Sequence, residues 1–382
     1  MSAASPPLIS RLRQSAAFWL QGLWCEPLRL HLLNPLHAGL WVASGGYRLG
    51  LGVDQWLKRR KQRKLSVCVV SIGNLVVGGT GKTPFTLWLA ETLATAGIGV
   101  AILSRGYGRR DDRIVQAPRT TTAWEDAASL YGDEPLLLAR RLPGIPVWVG
   151  QNRYAAGQMA LEGDNRPSVL ILDDGFQHVS LHRDIDIVLL DAERPFGNGR
   201  LLPMGPLREP VRNLARAHAL VLTRAGDKTV SSEGRATLMK SFPEKPVFAC
   251  RHRMTGIAPS IGEPTIGSAE LHNKVCVAFA GIAKPQSFFE SLRAVDPSLR
   301  VAETLFFPDH HAFTEADCAQ LVERRRRCGA DFLVTTEKDW VRLPRSLQSH
   351  VFTAALTLDF GDDLALLITY LLHHIDRHRV RS

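Results

Sequence analysis

The residues SVCVVSI (66–72) run directly into the glycine-rich segment GNLVVGGTGKTP (73–84) and then into PFTLWLAETLATAG (84–97). A buried strand, a tight glycine loop and a helix in that order leave few folds open. Loop N–H groups and the helix N-terminus converge on one point and make an anion site. Gly78, Gly79, Thr80, Gly81, Lys82, Thr83 and Pro84 would form that loop. Its lysine would reach the β- and γ-phosphates of a nucleotide, and the Thr83 hydroxyl would bind Mg²⁺. Strict GxxxxGK[ST] spacing asks for glycine where the chain has Val76, and Gly78, Gly79 and Gly81 supply the backbone freedom instead. Such a loop serves ATPases, GTPase switches, kinases and metal chaperones alike, so the reaction must be read elsewhere.

The surrounding pattern predicts an α/β fold. Apolar runs at 98–104, 145–150, 168–174, 186–191 and 219–224 alternate with helical stretches or long loops, as in an open, mostly parallel sheet covered by helices. Residues 251–267 are loop-like in composition and mark the expected linker between a phosphate-loop domain (65–250) and a smaller α/β domain (268–382). In the latter, strands are expected at 274–281 and 332–337, and helices around PQSFFESL and over 314–328. The run Arg324–Arg327 closes the second helix before Gly329, which suits a helix dipole and needs no nucleic acid. Residues 346–382 are expected to complete the smaller domain.

A net charge of +10 favours an acidic partner such as nucleic acid, anionic lipid or a phosphorylated substrate. No nucleic-acid-binding motif accompanies the charge. Six scattered cysteines without a CxxC pair exclude a disulfide framework and a zinc site. Residues 1–64 differ in kind. Phe18, Trp19, Leu20, Leu23, Trp24, Leu40, Trp41, Val42 and Trp56 precede the basic run KRRKQRK (58–64). Pro27, Pro35, Arg48 and Asp54 interrupt any span of the roughly 20 residues a membrane helix needs. The expectation is a helical segment lying on an anionic membrane surface; a soluble helical extension is the alternative.

Four further segments carry chemistry. In LDDGFQH (172–178) a carboxylate at a strand end, Asp173 or Asp174, fits the second acidic element of phosphate-loop enzymes. Gln177 and His178 follow it as polar groups suited to a ligand. In YGDEP (131–135), Asp133 and Glu134 start a helix, where acidic residues also serve as ordinary caps. FPDHHAF (307–313) offers His310 and His311, either of which could tune a carboxylate base or touch phosphate. LSRGYGRR (103–110) and GNGRLLPMGPLREP (197–210) are basic loops after strands, where open α/β sheets bind ligands. Their Arg105, Arg200 and Arg208 suit an anionic acceptor.

Taken in order, SIGNLVVGGTGKTP, SRGYGR, GDEP, DDGFQH, LLPMGPLREP, FPDHHAF and TTEKD resemble the tetraacyldisaccharide 4'-kinase family of Gram-negative lipid A synthesis over about residues 38–345. The resemblance implies transfer of the γ-phosphate of ATP, with Mg²⁺, to the 4'-hydroxyl of a tetraacylated glucosamine disaccharide 1-phosphate, giving lipid IVA. It implies Asp133 as base paired with His310, Lys82 on the phosphates, and Thr83, Glu134, Asp173 and Asp174 around the metal. Head-group contacts would fall among Arg105, Tyr107, Gln177, His178, Arg208 and Glu209. The implied place is the cytoplasmic face of the inner membrane, with no nucleic acid and no obligate protein partner. The competing reading is an ATPase or GTPase switch acting through a protein partner at the membrane. A basic binding module with a vestigial loop is disfavoured by the intact Lys82, Thr83 and acid pair.

Overall fold

The computed structural model describes residues 24, 35–119, 124–162, 166–226, 228–282 and 285–381. The first sheet has eight strands in the order β3-β4-β2-β5-β1-β6-β7-β8. These are β1 (Cys68–Asn74), β2 (Val100–Ser104), β3 (Val115–Gln116), β4 (Val147–Val149), β5 (Val169–Asp173), β6 (Ile185–Asp191), β7 (Ala219–Thr223) and β8 (Val247–Ala249). Pairing is parallel throughout except at the edge, where β3 runs antiparallel to β4. Central β1, β5 and β6 are buried along their whole length. That is why their sequences read as unbroken apolar runs and not as alternations. Every strand expected in this half from the sequence is present.

The second sheet has the order β11-β10-β12-β13-β9, with β9 (Arg251–Ala258), β10 (Val275–Ala280), β11 (Arg300–Phe306), β12 (Phe332–Thr336) and β13 (Val351–Asp359). Two expectations change here. Residues 251–258 are not linker but β9, paired antiparallel with β13. Its first residues alternate Arg251, Arg253 and Thr255 outward with His252 and Met254 inward, a period-2 pattern masked by the Gly/Pro-rich residues that follow. Residues 346–382 do complete the second sheet through β13, but helix Asp363–Arg381 returns to the first one. Its Leu367, Leu371 and Ile375 join the core formed by β1, β2, β5 and helix Lys82–Thr95. Phe360, just before it, packs edge-on to Phe85 of that helix.

Helix Pro35–Arg60 is continuous through Arg48 and Asp54. It turns Ser44 and Tyr47 toward the 200–209 loop. Ser44 Oγ donates to Leu201 O (3.0 Å), and Tyr47 OH donates to Arg208 O (2.9 Å). Trp41, Val42, Leu49, Val53, Trp56 and Leu57 are exposed, and Lys58, Arg59 and Arg60 occupy the last turn. Among the described residues no helix is long and apolar enough to cross a membrane. The remainder of the expected membrane segment, with Phe18, Trp19, Leu20 and Leu23, lies outside the described residues.

Candidate functional site

β1 delivers the chain into the glycine loop, and helix Lys82–Thr95 begins at once, with Gly81 as its N-cap in the left-handed conformation (φ 81°). No side chain caps this helix start, so its dipole and N–H groups are available to an anion. A Cβ at position 81 would lie 2.5 Å from His252 Nε2, which restricts the position to glycine. The end of β7 braces the same loop: Thr223 Oγ1 donates to Thr80 O (2.9 Å), and the Arg224 guanidinium reaches Gly79 O and Asp191.

The acid pair sits where β5 ends, beside the loop. Asp173 turns inward and accepts hydrogen bonds from Thr86 Oγ1 (3.2 Å) and Ser104 Oγ (3.3 Å). Asp174, at φ 49°, turns the other way. It lies 3.7 Å from Lys82 Nζ and 3.0 Å from Arg208 Nη1. Burial pushes the Asp173 carboxyl up to about 7, aided by the charges of Glu134 and Asp174 and opposed by Lys82. Asp174 also feels burial, but Lys82 and Arg208 outweigh it and hold its carboxyl below the ordinary range.

Helix Asp133–Arg141 presents the next two carboxylates across this group. Asp133 Oδ2 lies 3.0 Å from His310 Nδ1 and 3.3 Å from Arg342 Nε. Burial raises its carboxyl, yet the His310 bond and the Arg342 charge together leave it lowered. Lys338 Nζ donates to Glu134 Oε1 (2.9 Å). His311 is engaged elsewhere: its Nε2 lies 3.0 Å from Asp317, the acidic member of the capping box that starts helix Glu315–Arg327. The tandem histidine is thereby sorted by geometry, with His310 toward Asp133 and His311 toward a helix cap.

Three all-oxygen carboxylates, Asp173, Asp174 and Glu134, are close enough for charge repulsion to keep one of them from ionising easily. A hard divalent cation would relieve that repulsion, so these residues with Thr83 fit Mg²⁺. Among the described residues no three His, Cys, Asp or Glu side chains are gathered closely enough to hold a metal by themselves, so phosphate oxygens would have to supply part of the coordination of Mg²⁺.

The expected head-group residues divide. Arg105 and Tyr107 are exposed at the end of β2, and the Tyr107 ring lies 6.3 Å from that of His310. Gln177 bridges Asn74 O (3.0 Å) and Arg208 (3.3 Å). His178 contacts Ser180 Oγ at 3.1 Å, and burial, reinforced by Arg153 and Arg183, pushes it down to about 3, so it is uncharged. Glu209 does not face the cleft. It is fully buried, held by both Arg216 nitrogens (2.8 Å each) and by Asn213 (2.7 Å). A carboxylate with no exposed surface and three hydrogen bonds inside the protein shapes the 200–209 loop.

Sequence reasoning passed over Lys338, Arg342 and Arg153. Lys338 stood in the quoted TTEKD, at the end of β12, where a basic residue was a visible signal. Arg342 and the buried Arg153 carried none. The sheet order, the uncapped glycine loop and the acid pair on the adjoining strand end define a phosphate-loop nucleotide-binding enzyme with a carboxylate–histidine pair beside its phosphate site.

The particular family follows from comparison. A family model described as tetraacyldisaccharide-1-P 4'-kinase (LpxK) matches residues 36–375, and the chain belongs to that family. It is 48% identical over 330 residues to a tetraacyldisaccharide 4'-kinase of Syntrophobacter fumaroxidans, covering 86% of each chain. It is 39% identical over 312 residues to one of Pelobacter propionicus, covering 80% of this chain and 83% of the relative. Among solved structures it resembles the "apo" form of LpxK from Aquifex aeolicus in complex with ATP. That match has a TM-score of 0.67 and 31% identity, over 89% of this chain and 99% of the other.

Proposed function

We infer that the protein is an ATP-dependent lipid kinase that transfers the γ-phosphate of ATP to the 4'-hydroxyl of a tetraacylated glucosamine disaccharide 1-phosphate, forming lipid IVA. The observation that carries this reading is a single constellation. Lys82 of the phosphate loop lies beside Asp174, and the neighbouring Asp173 feels the charge of Glu134, which adjoins Asp133 and its His310 partner. An alcohol acceptor needs a base within hydrogen-bond reach, and the transferring group needs cations around it.

Asp133 is the base of this reading, since its neighbours keep its carboxyl ionised. It takes the proton of the 4'-hydroxyl as that oxygen bonds to the γ-phosphorus and the bond to ADP breaks. Lys82 offsets charge on the phosphates. Thr83, Glu134, Asp173 and Asp174 would hold Mg²⁺, whose charge offsets that of the triphosphate when bound. Arg105, Tyr107, Gln177, His178 and Arg208 line the acceptor side, where guanidinium groups suit the 1-phosphate. A switch working through a protein partner would use water as the nucleophile, which the Asp133–His310 pair would serve equally well, so the phosphorylated lipid product is what separates the two readings.

The lipid sits in a bilayer, so the enzyme works at its surface. Helix Pro35–Arg60 turns polar Ser44 and Tyr47 toward the protein and leaves six large apolar residues outward. This is the reverse of a helix docked for water. The basic end adds attraction to anionic lipid at about 1 kcal/mol per charge. The cytoplasmic leaflet of the inner membrane supplies both the lipid and the charge.

The deciding experiment incubates the purified protein with ATP, Mg²⁺ and the disaccharide 1-phosphate lipid, and weighs the product. One added phosphate is expected. Asp133→Asn should lower turnover by about 10²–10⁴ with nucleotide affinity retained. ATP hydrolysis without phosphorylated lipid would favour the switch and overturn the reading.

A further inference from the structure

Helix Pro35–Arg60 meets the rest of the protein along one narrow stripe. His37, Leu40, Ser44, Tyr47, Leu51 and Gln55, three or four apart, are half-buried, and its other described positions are exposed. A helix that served only as an anchor would dock through apolar side chains. This stripe is polar where it crosses the 200–209 loop, and its hydroxyls reach that loop's backbone. Ser44 Oγ donates to Leu201 O (3.0 Å) and accepts from Met204 N (3.2 Å). Tyr47 OH donates to Arg208 O (2.9 Å), and Gln55 faces the Glu209 carboxylate. Ahead of the helix, Trp24 Nε1 donates to Pro203 O (3.0 Å).

The other side of the same loop lies on the glycine-rich segment. Val77 N donates to Pro206 O and Arg208 N to Leu75 O, each at 2.8 Å, and Val76 bridges Leu207. Arg208 is thereby clamped through its backbone. Its N–H rests on the segment that leads into the phosphate site, and its C=O rests on the outer helix. The guanidinium then points to Asp174 (3.0 Å) and Gln177 (3.3 Å). Residues 200–209 form no helix or strand of their own. Pro203 and Pro206 withhold N–H donors, and Gly205 adds backbone freedom. Such a loop takes its shape from what it is tied to.

We propose that Ser44 and Tyr47 are positioning residues, and that helix Pro35–Arg60 is a template that fixes the acceptor loop and Arg208 beside the phosphate site. This role is additional to lying on the membrane. The proposal deepens the kinase reading and rests on it for the identity of the acceptor, but the order of the loop is observable without substrate. One helix carries the apolar face outward and the hydroxyls inward, so it sets Arg208 at a fixed height above the bilayer surface, where a lipid head group is met.

The test is hydrogen–deuterium exchange of the full chain without ATP or lipid, joined to vesicle binding and kinetics. Ser44→Ala combined with Tyr47→Phe removes the three hydrogen bonds to Leu201, Met204 and Arg208. Peptides covering 200–209 should then exchange about tenfold faster or more. Ser44→Thr keeps the hydroxyl and should exchange as the wild type does. Partition of the double variant onto phosphatidylglycerol vesicles should change by no more than about twofold, since the outward face is intact. In mixed micelles its KM for the disaccharide lipid should rise about tenfold, with the KM for ATP within about twofold of the wild type. Trp41→Ser combined with Trp56→Ser, on the outward face, should give the reverse pattern, with vesicle binding lost and loop exchange unchanged. Unchanged 200–209 exchange in the Ser44 and Tyr47 variant overturns the proposal. So does lost vesicle binding with an unaltered lipid KM, which would leave the helix an anchor alone. If the double variant does not fold, Tyr47→Phe by itself, which deletes one oxygen atom, decides by the same measurements. A loop loosened as expected in a chain that makes no phosphorylated lipid would sink the kinase reading and leave the template in place.

Discussion

Glu209 separates a binding role from a structural one, because sequence resemblance and geometry disagree about it. Replacing it by glutamine keeps the shape and removes the charge that pairs with Arg216, whose side chain is itself only 17% exposed. Breaking a buried ion pair from one side costs about 3–5 kcal/mol. Arg216 keeps a bond to Phe176 O (2.7 Å) and its place 3.6 Å over the Phe176 ring, so the lower end, about 3 kcal/mol, is expected. At about 2.1 cal/mol/K per residue over 382 residues, that is a fall of roughly 4 °C in Tm. Thermal and urea unfolding followed by circular dichroism measure it. The same variant, assayed well below its Tm, should show only a modest rise in the KM for lipid, through a looser 200–209 loop. Wild-type stability together with a KM for lipid raised tenfold or more would mean that Glu209 touches the head group after all, and the buried assignment would fail.

Other perturbations give equally direct outcomes. Gly81→Ala forces a left-handed residue at about 1–2 kcal/mol and drives a methyl group into the His252 ring. Calorimetric ATP affinity should drop at least tenfold, and near-normal binding would show that the loop relaxes freely. Burial pushes His252 down to about 4, helped by Arg224. Its unfolded value is about 6.5, so the unfolded chain binds the extra proton between these values. Stability is therefore full above pH 6.5 and falls as pH drops toward 4, by roughly 3 kcal/mol from this residue. His252→Gln should flatten that limb in denaturant titrations at stepped pH, and an unchanged slope would remove His252 as its cause. Leu371→Ala, at a position 1% exposed against the first sheet, should cost about 2–5 kcal/mol in urea unfolding. A loss under 1 kcal/mol would mean that the 363–381 helix is loosely held.

What the sequence disclosed follows from where the signals live. β1, β5 and β6 are fully buried in a parallel sheet, so their apolar runs are local and unmistakable. The glycine loop announces itself because left-handed backbone and free N–H groups demand particular residues in sequence. Taken by themselves, Asp133 and Glu134 read as helix-start acids, and only the family resemblance paired Asp133 with His310 and put Glu134 at the metal. That His310, Lys338 and Arg342 close on them is a matter of contacts spanning about 180 to 210 positions, which no local pattern encodes. β9 was hidden because a two-faced edge strand of mixed Arg, His and Thr looks like loop beside a Gly/Pro-rich tail. Glu209 sits in a motif whose neighbour Arg208 does face the acid pair, and alternation along the chain turned it inward.

The return of helix Asp363–Arg381 to the first sheet bears on how the chain is made. Domains ordinarily fold in the order in which they leave the ribosome, the N-terminal one first. Here the face of the first sheet carried by β1 and helix Lys82–Thr95 stays uncovered until Leu367, Leu371 and Ile375 have been synthesised. The whole second sheet is translated in between. The nascent chain therefore carries an open apolar surface through more than a hundred residues of synthesis, and a ribosome stalled before codon 363 would release a phosphate-loop domain that cannot close.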